Sequence, residues 1–163
     1  MMSERSEGCS AWLGELHRKS VEHHRQLIEE ATGGENAPGE VVGDYFEALE
    51  VFRREGEFAG CPFTNAAAAL EEQVNDEEAE AVRAEVEAHK MSIRDFFVAV
   101  AEMVDDSAER ARHLGEALFL MYSGATTEAK NLRETWPVAR ARSAALQMIE
   151  AERSRGVAGE EGR

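Results

Sequence analysis

The chain has 163 residues, 43% of them hydrophobic and 31% charged, with 18 Lys and Arg against 33 Asp and Glu and a formal net charge of −15. That is the length of one ordinary domain, with enough apolar content to bury a core without disulfide or metal staples. The acidic balance argues against direct nucleic-acid binding, which needs a basic face to release counterions. No apolar run reaches the roughly 18 residues that a membrane span requires, and the start, MMSERSEGC, lacks the apolar stretch of a signal peptide, so a cytoplasmic protein is expected.

Taken in order, the segments read as helices. Leu13, Leu16, Ser20, His24, Leu27 and Ile28 recur at three- and four-residue intervals, and Gly33-Gly34 ends this first helix. Pro38 suits the first turn of a second, marked by Val41, Val42, Tyr45, Phe46, Leu49 and Phe52 and stopped near Gly56. A short alanine-rich helix follows Pro62. Asn75 and Glu78 form a capping-box-like start to the longest helix, whose stripe is Val82, Val86, His89, Ile93, Phe96, Phe97, Val100 and Val104. Ser107 opens a fifth helix, with Leu114, Leu118, Met121, Tyr122 and Ala125 on one face, and Thr135-Trp136-Pro137 opens a sixth, with Val138, Ala141, Ala145 and Ile149. No segment alternates long enough for a strand. The expectation is an all-α, single helical-bundle domain of about six helices.

The segment FAGCPFTNAAAALEE interrupts this periodicity. Gly60 and Pro62 reset the backbone between two helices, Phe63 anchors the turn, and Thr64 or Asn65 can accept from the exposed amides of the next helix. The alanines permit close approach by a neighbour. The segment resembles the Gly-Cys-Pro-Phe-x-Asn-Ala-Ala block of many tetracycline-repressor-like (TetR) regulators, where it opens a short helix of the C-terminal domain. Downstream, ALFLMYSGATTEAK is similar to the family's penultimate helix, so the resemblance covers roughly residues 10–152. The family's N-terminal helix-turn-helix has no counterpart in the sequence.

The resemblance implies the effector-sensing and dimerisation half of such a regulator: residues 1–9 disordered, 10–153 the all-α effector-binding and dimerisation domain, and 154–163 a flexible tail. It implies a homodimer through the last two helices, with Leu118, Met121, Tyr122, Ala125, Val138, Ala145 and Ile149 at the interface. It also implies a cavity for a small apolar molecule, lined by Tyr45, Phe46, Leu49 and Phe52 on the second helix, Phe63 at the turn, and His89, Ile93 and Phe97 on the long helix. The alternative is a ligand-free interaction module that pairs with a full-length regulator.

His89 sits in an apolar stripe where a buried imidazole needs a partner, and Glu85, one turn earlier, is the candidate. The five histidines do not suggest a metal site: His17 and His24 lie seven residues, about 10.5 Å, apart along a helix, and the Glu-x-x-His pattern of di-iron bundles is absent. No nucleophile elbow, phosphate loop or paired-cysteine motif occurs. Cys61 reads as a structural thiol, and neither enzyme activity nor a cofactor is expected.

Overall fold

The computed structural model describes residues 3–34, 36–70 and 77–161. Among the described residues there are six α-helices and no strand: α1 (Ser3–Thr32), α2 (Pro38–Glu55), α3 (Pro62–Leu70), α4 (Glu77–Glu102), α5 (Ala108–Leu132) and α6 (Trp136–Glu161). The chain is an all-α bundle, as its periodicity requires.

The helix ends follow from local chemistry. At the start of α2, Glu40 reaches back and accepts from the Ala37 amide at 2.7 Å, with Pro38 in the first turn, where no donor is needed. Ser107 caps α5, its side chain accepting from the Arg110 amide at 3.5 Å. The Thr135 carbonyl accepts the first amide bonds of α6, from Val138 and Ala139 at 3.0 and 3.2 Å. Of the capping pair expected at Asn75 and Glu78, Asn75 falls outside the described residues, while Glu78 lies inside α4. Both ends of the bundle are helical farther than the apolar pattern extends, since α1 begins at Ser3 and α6 runs to Glu161. In α6, ion pairs from Arg153 to Glu150 and from Arg155 to Glu152 support the helix beyond the last core residues.

In the packed bundle, α4 lies between α5 and α1, α2 and α5 both pack on α6, and α3 rests on α4. The main core joins α2, α4, α5 and α6, with Phe46, Phe97, Val100, Leu118 and Val138 fully buried. A smaller cluster of Leu13, Cys61, Phe63 and Val82 sits under α3. Gly115 sets the approach of α5 to α4, because a Cβ at that position would stand 2.5 Å from the Val98 Cα. The connection from α4 to α5 is held by Asp105, whose side chain is 1% exposed. It accepts from the Ser107 amide at 2.6 Å and from the Arg110 guanidinium at 2.8 and 2.9 Å. Those bonds, Arg110 first, hold the Asp105 pKa down to about 2.

The residues expected at the dimer interface pack inside the chain itself. Leu118, Tyr122, Ala125, Val138, Ala145 and Ile149 belong to its own core, and Met121 packs against that core. An apolar stripe marks the face of a helix that must be covered, but here α2, α4 and the partner helix of the hairpin do the covering. Other large apolar residues of α5 and α6 stay exposed: Leu120 at 66% exposure, Trp136 at 56% and Met148 at 36%.

Candidate ligand site

The turn that interrupts the sequence is built around one close approach. Gly60 adopts φ +85°, and a Cβ there would lie 2.6 Å from the Lys130 Cδ. Lys130 crosses this gap from α5 and donates to the Asn65 Oδ1 at 2.6 Å, while the Asn65 Nδ2 donates to the Ala59 carbonyl at 2.8 Å. Asn65 is therefore a brace between turn and α5 rather than the helix cap expected of it or of Thr64. The cap position belongs to Cys61, whose carbonyl accepts from the Asn65 amide at 2.9 Å, and Pro62 fills the first helical position.

Behind this turn, α1 to α5 line a cavity of about 460 Å³ that is open to solvent on one side, a size suited to a small organic ligand. Of the eight residues expected to line it, Tyr45, Leu49, Phe52, Phe63 and His89 do so. Phe46, Ile93 and Phe97 do not; each is at most 1% exposed and sits in the main core. Leu16 and Leu27 from α1, Arg53 from α2, Cys61 from the turn and Tyr122 from α5 complete the wall. Tyr122 thus belongs to the cavity and the core rather than to a dimer face. Phe52, 57% exposed, stands with Asp44 and His23 where the wall meets solvent.

Arg53 carried a readable signal. Val42, Phe46, Leu49 and Arg53 fall at four-, three- and four-residue steps, so the arginine continues the apolar stripe of α2. It is 3% exposed.

Burial holds His89, His24, Tyr45 and Tyr122 in their neutral forms. His89 stacks on Phe63 with ring centroids 3.6 Å apart and 11° between planes, and meets the edge of His17 at 5.8 Å. Its Nδ1 is buried without a hydrogen-bond partner. The partnership expected with Glu85 does not form, because the Glu85 carboxylate packs beside Gly14 of α1, 3.5 Å from where a Cβ would be. Burial pushes the His89 pKa down to about 3, with His17 and Lys90 adding repulsion. His24 shares a 2.9 Å hydrogen bond between its Nε2 and the Tyr45 hydroxyl, stacks on Phe96 at 4.6 Å, and is pushed by burial down to about 4. Burial raises Tyr45 and moves Tyr122 up to about 12, so both phenols keep their protons. Arg53 is lowered by burial from its ordinary value and remains a cation.

Among the described residues no group of three or more His, Cys, Asp or Glu is placed to hold a metal ion, and no helix is long and apolar enough to cross a membrane. No family model, curated protein or solved structure matches the chain.

Proposed function

We propose that this chain is the effector-sensing and dimerising domain of a TetR-like transcriptional regulator. The observation that carries the reading is the cavity of about 460 Å³ behind the GCPF turn, lined largely by apolar and aromatic side chains from five helices. The role is binding rather than catalysis. A small molecule entering beside Phe52 contacts α2 and the turn, and Lys130 joins that turn to α5, so occupancy and the arrangement of α5 bias one another. The homodimer forms through the outward face of α5 and α6, where Leu120, Trp136 and Met148 are exposed, instead of through the buried residues of the same helices.

The test uses a neutral solvatochromic dye, Nile red, with the wild type and with Leu49→Trp, which fills the cavity wall. One-to-one binding that the tryptophan abolishes supports the sensor; binding that survives it places the dye elsewhere, and the reading fails. Sedimentation of wild type against a Leu120→Glu, Met148→Glu variant tests the dimer face, which predicts a shift from dimer to monomer.

The exposed Leu120 and Trp136 favour a second reading, a pairing module that joins a full-length regulator through this same face. Mixed dimers with such a regulator, formed by a chain that binds no dye, would establish it. Failure to form them would remove it.

A further inference from the structure

One charge in the cavity wall is unanswered by the fold. Arg53 is 3% exposed, its Nε is buried without a hydrogen-bond partner, and among the described residues its guanidinium forms no ion pair. Its Cζ lies 5.2 Å from the centroid of the Phe52 ring. The sequence offered the usual solution. Arg18, Arg25, Arg83, Arg153 and Arg155 each pair with the glutamate three residues earlier. Glu50 stands three residues before Arg53, and no pair forms. Asp44, the carboxylate in the cavity wall, is nine residues away along α2, about 13 Å of helix. A buried cation without a counter-charge is costly, and an apolar side chain of similar length would remove that cost.

We propose that the cavity takes an amphipathic monocarboxylate, its carboxylate paired with Arg53 and its apolar body lying along Leu16, Leu27, Leu49 and Phe63. This rests on the reading of the cavity as an effector site and replaces a purely apolar effector with an anionic one. The guanidinium presents a planar fork that matches a carboxylate. No lysine and no second arginine lines the cavity, so one negative charge is answered and a doubly charged phosphate is not. Phe52 at the mouth covers the pair from solvent, which strengthens it.

Isothermal titration calorimetry of the full chain with decanoate, decanol and decylammonium, each below its micelle concentration, tests the assignment. Wild type binds decanoate about tenfold or more tighter than decanol and excludes decylammonium. Arg53→Gln loses the preference and Arg53→Lys keeps part of it, as circular dichroism confirms that both fold. Without ligand, Arg53→Met melts higher than wild type, since it removes the unpaired charge. Equal binding of decanol and decanoate overturns the anionic assignment and leaves the sensor standing, whereas binding of none of the three overturns both. Decanoate binding that Arg53→Gln leaves unchanged, or an unliganded Arg53→Met that melts lower, would assign Arg53 to the fold and end the proposal.

Discussion

His89 offers a sharp test of the packing beneath α3. Its ring is 7% exposed, stacked on Phe63, and held near a pKa of about 3 against 6.5 for the unfolded chain. The unfolded state therefore binds the extra proton between those values, and the contribution of His89 to stability is complete above pH 6.5 and is lost as the pH falls toward 3. At pH 5 the loss is about 2 kcal/mol relative to pH 7, from about 1.4 kcal/mol per pH unit across the window. The neighbours deepen the effect rather than relieve it: His17 faces the ring from α1, Lys90 is beside it on α4, and Phe63 covers it from α3. His24, with its pKa at about 4, acts in the same direction. Falling pH also reduces the repulsion of a chain whose net charge is −15, so the absolute curve mixes opposing trends and a difference between variants isolates the histidine. His89→Phe keeps the stacking on Phe63 and removes the titration. Urea denaturation at pH 7 and pH 5 should show wild type losing about 2 kcal/mol more than the variant between the two conditions. Equal losses in both proteins would refute the account, because they would mean that the imidazole protonates in the folded state as readily as in the unfolded one.

Gly60→Ala should destabilise by about 2–3 kcal/mol, from the positive φ and the displacement of Lys130, and combining it with Lys130→Ala should cost less than the sum in a double-mutant cycle. Gly115→Ala forces α5 away from the Val98 backbone and should cost about 1–3 kcal/mol or more, visible as a lower denaturation midpoint. Asp105→Ala removes the acceptor of the Ser107 amide and of Arg110, and should lower the melting temperature with a greater loss near neutral pH than below pH 3, where the carboxylate begins to protonate.

Helix order and most boundaries were legible because a 3.6-residue apolar period and cap residues such as Pro38 and Ser107 act locally. What each apolar face meets is a long-range matter. Leu118 and Val138 satisfy the description of an interface stripe and of a core stripe equally well, and the bundle places both in the core. For the same reason Phe46 and Phe97 could not be separated from Tyr45 and Phe63, which share their helices or neighbourhood but line the cavity. The Glu85–His89 partnership followed from one-turn spacing, but the open space beside Gly14 drew the carboxylate toward α1. By position alone Arg53 looks like ordinary dipole compensation in the last turn of a helix, and only its place in the apolar stripe of α2 marks it as buried.

The contact at Gly115 reaches beyond stability. Where the only spacer between two helices is a hydrogen atom, the position can change only if α4 and α5 slide or part together, which no single substitution achieves. Exposed positions around it can drift so long as that glycine stays, facing whatever backbone stands at Val98. Distant relatives of this chain, too diverged to align by their surfaces, should still carry a glycine in the middle of the fifth helix.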